Sequence, residues 1–187
     1  MLPRLLRSVL IAALVACLSP PLQAAEAFDE AEVKAALLAK ILRFVDWPEE
    51  AFSADSSEFS ACTLGQSELA EAIARLLEGE EIAGRQVTWH ALEPASWMRE
   101  AGGCQLLLLA EVDADALRGL RKVEGRYCLL AGDHPLFLES GGMLNFLIEE
   151  KRVRFEVNLE RLRSAGLKLS AKVLSLASRV LTEFAPG

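Results

Sequence analysis

The 187-residue sequence has no long apolar run, little histidine and no excess of positive charge, and each absence removes a class of function. Residues 9–18 form an apolar run of ten, half of the roughly twenty needed to span a bilayer. No later segment is long and apolar enough to span either. The only histidines, His90 and His134, lie far apart, and there is no C-x-x-C or Cys/His cluster, so no metal site is expected. There is no G-x-G-x-x-G, no Walker loop and no G-x-S-x-G elbow. No cofactor is therefore expected. Basic residues number 20 against 27 acidic, a net charge of −7. That balance argues against a nucleic-acid partner, which needs a basic face.

What is present first is an export signal. Arg4 and Arg7 give a positive start, the apolar run follows, and Ser19-Pro20-Pro21 breaks it. Leu22-Gln23-Ala24-Ala25 supplies small residues for cleavage. Residues 1–24 read as a secretory signal, and 25–187 as a single domain without repeats or linkers. Leu14-Val15-Ala16-Cys17 also fits a lipobox, which would anchor the chain through Cys17. The complete cleavage region favours release after Ala24. Both outcomes place the domain outside the cytoplasm. The mature chain keeps Cys62, Cys104 and Cys128. An oxidising compartment favours a disulfide, and the odd count leaves one thiol over.

Periodicity gives the elements. Residues 29–45 read as a helix burying Val33, Leu37, Ile41, Phe44 and Val45, widened by Leu38 and Leu42, and ended before Pro48. Strands are expected at 59–64, 85–92, 106–109 and 127–131. Helices are expected between them, from Ser67 to about 78, from Pro94 to Gly102-Gly103, and from Asp113 through 122. This alternation predicts an α/β fold with a mostly parallel sheet and helices on both faces. A C-terminal antiparallel hairpin, 143–148 and 153–158, follows Gly141-Gly142. On its second strand Val153, Phe155 and Val157 face one way, and Arg154, Glu156 and Asn158 the other. A last helix, 170–184, would bury Val173, Leu174, Leu176, Ala177, Val180 and Leu181.

A mostly parallel sheet places ligands beyond the carboxyl ends of its strands. The residues expected there are Gly65-Gln66-Ser67, Glu111 and Gly132-Asp133-His134. Asp133 and His134 have the chemistry of an acid–base pair, but no nucleophile accompanies them. Turn chemistry before Pro135 accounts for them better. Gly141-Gly142 fits either close approach to a ligand or a sharp entry into the hairpin. Trp47 suits two roles: covering the end of the first helix, or forming the rim of a partner surface. Asn158 and Ser170 read as helix caps. Glu156, Arg154 and Lys168 have no structural role legible in sequence, so with Trp47 they form the candidate partner surface. Glu156 is expected to be exposed and close to Lys168.

Six strings in order resemble the YfiR family of periplasmic regulators. They are Leu42-Arg43-Phe44-Val45-Asp46-Trp47-Pro48, Ala61-Cys62-Thr63-Leu64-Gly65, Cys104-Gln105-Leu106-Leu107-Leu108-Leu109, Gly141-Gly142-Met143-Leu144-Asn145-Phe146, Val153-Arg154-Phe155-Glu156-Val157-Asn158, and the stretch from Ala165 through Ala177. The resemblance implies a periplasmic protein, not an enzyme. Its role would be to bind and repress an inner-membrane diguanylate cyclase, lowering cyclic diguanylate and biofilm formation. It also implies a Cys62–Cys104 disulfide. Cys104 with Cys128 is the competing pair, since those strands are neighbours too in a flavodoxin-like order. The partner is an inner-membrane signalling protein, and a homodimer is compatible with the sequence. A periplasmic solute-binding sensor, a regulator of a membrane histidine kinase and an exported enzyme of unfamiliar type are the alternatives.

Overall fold

The computed structural model describes residues 29–53, 57–110, 113–123 and 126–182. The expected signal, Cys17 and Glu111 lie outside the described residues. Among the described residues, five of the six α-helices begin with a side-chain cap. Asp29 accepts from the Glu32 amide at the start of α1 (Glu30–Leu42), and Ser67 from the Ala70 amide at α2 (Glu68–Leu77). The short α3 (Trp97–Glu100) has no such bond. Asp113 caps α4 (Ala114–Leu120), Asn158 caps α5 (Leu159–Ser164) and Ser170 caps α6 (Ala171–Leu174). Each cap is worth about 1 kcal/mol.

The strands are β1 (Val45–Asp46), β2 (Glu58–Leu64), β3 (Glu81–Ile82), β4 (Arg85–Leu92), β5 (Leu106–Leu109), β6 (Leu129–Gly132), β7 (Leu144–Glu149), β8 (Arg152–Asn158), β9 (Lys168–Leu169) and β10 (Arg179–Leu181). Eight of them form one sheet in the order β10-β8-β7-β6-β5-β2-β4-β3. The stretch from β4 to β7 is parallel throughout. Every residue of β5 and β6 is buried, as strands covered on both faces should be. β7 and β8 make the expected antiparallel hairpin. β1 and β9 form a separate two-stranded antiparallel pair. The α/β architecture is thus the one read from the sequence.

Two expectations fail in detail. The first helix ends at Leu42, and its buried face is rotated. Lys34, Ala35, Leu38, Ala39, Ile41 and Leu42 are inside, while Val33 and Phe44 are exposed. α1 packs on α2 and on β8 together. Ala35 and Ala39, one turn apart, let α1 come close to its neighbours. The last helix is the larger failure. It stops at Leu174, and residues 179–181 become β10, parallel to β8. Of the six residues expected to be buried there, Val173 alone is in the core. An open edge of β8 offers unpaired backbone groups, and Arg179 finds a carboxylate on that strand. These tertiary partners outweigh the weak helical preference of Ser175, Ser178 and Val180.

The hairpin is entered through Gly141, at φ 103°, and Gly142. The Phe137 ring lies flat against this corner. A Cβ on Gly142 would fall 2.1 Å from its Cδ1. Phe137 is fully buried and has no room to retreat. Gly142→Ala should therefore cost about 3 kcal/mol, the upper range for overpacking a core. Urea unfolding of the purified variant measures this, and an unchanged midpoint would refute the contact.

Candidate interaction surface

The strand-end region holds Asp133 and His134 where expected, but not as a pair. Asp133 Oδ2 accepts from Lys34 Nζ at 3.0 Å, and His134 Nδ1 accepts from the Leu136 amide at 3.1 Å. The histidine thus makes a turn before and across Pro135. Lys34 is buried and also pairs with Glu30 at 2.5 Å. Burial pulls its ammonium pKa down, but the two carboxylates more than compensate and leave it above the usual 10.5. Sequence reading missed Lys34, because a lysine on an apolar helix face looks like an intrusion until Asp133 is brought to it by folding.

Trp47 fills the first of its two roles. Its Nε1 donates to the carbonyl of Leu42, the last residue of α1, at 3.3 Å. The indole stands edge-on to the Phe59 ring, 5.1 Å between centroids. It remains half-buried, so one side of the ring faces solvent. The β1–β9 pair sets Asp46 opposite Lys168, next to Trp47. Trp47 and the exposed Lys168 are thus neighbours through Asp46, and they make up the candidate patch. Beneath it, Gln105 fixes the chain that follows Trp47. Its Nε2 donates to the Ala51 carbonyl at 2.7 Å, and its Oε1 accepts from the Ser60 amide at 2.8 Å.

Glu156 does not belong to that patch. It is 9% exposed, and its partner is Arg179, not Lys168. Arg179 Nε and Nη2 bind the two carboxylate oxygens at 2.6 and 3.0 Å. Arg179 Nη1 reaches Glu139 at 2.8 Å. These bonds hold the guanidinium pKa above its usual value against partial burial. Asn145 Nδ2 lies 3.5 Å from Glu156 Oε2. Alternation along β8 is kept, yet both faces are covered, because the segment carrying Leu138 and Glu139 lies over the polar one. Asn158, fully buried, donates to the Leu138 carbonyl at 3.4 Å. Arg154 is exposed on the hairpin, opposite Leu147, in the large sheet rather than the small one. No local signal marks Arg179, whose pairing depends on β10, where a helix is expected from the sequence.

Cys62 and Cys104 are joined, with Cα atoms 5.9 Å apart. Cys62 sits on β2, and Cys104 two residues before β5, its neighbour. Cys128 is free and buried, and burial pushes its thiol up to about 12. It is therefore an inert core thiol at neutral pH.

A family model described as YfiR/HmsC-like matches residues 31–178. The chain belongs to this family. The YfiR/HmsC-like match includes the Trp47 patch, the disulfide, the hairpin and nearly all of the described C-terminal segment. No curated protein matches the chain. Two solved structures share the fold. One is the ABC domain in complex with L-Trp from Streptococcus pneumonia, at TM-score 0.51 and 10% identity. The other is a conserved domain protein from Vibrio cholerae O1 biovar El Tor, at TM-score 0.52 and 14% identity. Each match covers 81% of this chain and 60% of the other, so the chain spans under two thirds of their length.

The Lys34 cluster makes a pH prediction. A lysine whose folded pKa exceeds its unfolded value stabilises fully below the unfolded value, 10.5, and loses that contribution as pH rises through the folded one. Urea midpoints of wild type and Lys34→Met should differ by a constant amount from about pH 8 to about pH 10 and converge above it. A gap that closes below pH 8 would contradict the assignment.

Proposed function

We propose that this protein is a periplasmic regulator that binds the periplasmic part of an inner-membrane diguanylate cyclase and holds it inactive. Cyclic diguanylate then stays low and biofilm formation is restrained. The observation that carries this reading is the YfiR/HmsC-like match across residues 31–178. The chain acts as a binding partner rather than as an enzyme. It is exported by its N-terminal signal and works in the periplasm. No helix among the described residues is long and apolar enough to cross a membrane.

The patch around Trp47 and Lys168 supports the reading. A half-exposed aromatic ring beside charged residues is a common interface anchor. Arg154 on the hairpin is the third surface candidate. Glu156 leaves the set, because it is committed to Arg179.

Deleting the gene should raise cyclic diguanylate through one membrane cyclase. Lys168→Glu, an exposed change that spares the core, should weaken capture of that cyclase's periplasmic part by about ten-fold. Trp47→Ala should weaken it too, with some loss of stability from the Phe59 contact. Pull-down and cyclic diguanylate measurement in cells read both effects. An unchanged nucleotide level after clean deletion would overturn the cyclase reading. Full binding by both folded variants would overturn the patch.

A further inference from the structure

The rotation of α1 and the early end of α6 leave apolar side chains outside the core. Phe44 is 39% exposed and Leu176 is 65% exposed, while Leu37 is half-buried. They are not scattered. Leu37 and Phe44, Phe155 of β8, and Leu176 all line one groove. The volume is about 120 Å³, close to that of a cavity of about 150 Å³ that accepts a benzene ring. Two exposed lysines, Lys40 on α1 and Lys172 on α6, lie on its rim.

We infer that this groove is a docking site for a partner segment with one large apolar side chain flanked by Asp or Glu. Charge complementarity selects the flanks. Among the described residues, Lys40 and Lys172 are the only ionisable ones lining the groove. Residues 143–182 carry eight basic and four acidic residues in a protein of net charge −7. The C-terminal segment that contributes Phe155, Lys172, Val173 and Leu176 to the groove is thus basic within an acidic chain. A second copy of this chain fits poorly, because a two-fold contact sets the same patch against itself. Lys40 and Lys172 would then be gathered with their own copies. A lipid surface fits poorly as well. Interfacial binding buries a protruding apolar face, whereas Phe155, which lines this groove, is buried. The inference does not depend on the partner being a cyclase, and neither Trp47 nor Lys168 lines the groove.

The test is to pan a displayed library of random peptides against the purified chain. One enriched peptide is then synthesised and its affinity measured by fluorescence anisotropy. Enriched peptides should share an aromatic or leucine anchor flanked by acidic residues. Leu176→Glu and the double variant Lys40→Glu/Lys172→Glu should each weaken binding by about ten-fold. Added salt should weaken wild-type binding as well. All three positions are exposed, and circular dichroism confirms that the variants fold. No enrichment, peptides without acidic flanks, or equal binding by Leu176→Glu would overturn the proposal. So would phosphatidylglycerol vesicles that retain wild type but not Leu176→Glu, which would indicate a membrane site. A dimer in sedimentation analysis that Leu176→Glu abolishes would indicate a second copy and overturn it equally.

Discussion

Glu156 is a carboxylate on the covered side of a central hairpin strand, and an unpaired charge is costly to bury there. Arg179 answers it with two hydrogen bonds, in the fork geometry that guanidinium and carboxylate share. Making those bonds requires the chain after α6 to return to the edge of β8. It does so as β10, with Arg179 opposite Glu156, Val180 opposite Val157 and Leu181 opposite Asn158. The Ser178 amide and hydroxyl both donate to the Phe155 carbonyl just before this strand begins. Glu139 ties the same guanidinium to the segment before the hairpin. One guanidinium therefore joins three stretches of chain that are distant in sequence.

The surface follows from that pairing. Because the chain turns back after Leu174, Leu176 is left on the outside and Lys172 on the rim of the groove against α1. Glu156 is used internally, whereas Lys168 is exposed and is set opposite Asp46, the residue before Trp47, by β9. The candidate partner surface and the groove thus both lie beside the C-terminal segment. A regulator whose contact surface depends on a short terminal strand would couple its binding to the order of that strand.

Much of this was legible in the sequence. The buried parallel strands appear as continuous apolar runs, since Leu106–Leu109 has no polar face to display. The caps at Ser67, Asp113, Asn158 and Ser170 are local signals, and all four form. The hairpin is marked by alternation and by its glycine entry. What failed was information carried by partners far away in sequence. The periodicity of 170–184 is compatible with a helix, and nothing local reveals that β8 has a free edge. The alternation of β8 correctly placed Glu156 opposite the Phe155 face. It gave no warning that a second layer covers that side. For α1, the leucine and isoleucine spacing defined a helix but not its rotation, which the alanines at 35 and 39 and the two-sided packing decide. For Trp47 the residue type suited either a helix-end cover or an interface rim, and the bond to Leu42 supports the first.

The central claim is that Glu156 is an interior residue whose partner is Arg179. A double-mutant cycle with Glu156→Gln and Arg179→Met, measured by urea unfolding, tests it most directly. The account predicts that each single change destabilises and that the two fail to add, with a coupling energy of about 1–2 kcal/mol. Additivity to within about 0.5 kcal/mol would contradict it, and would return Glu156 to the surface.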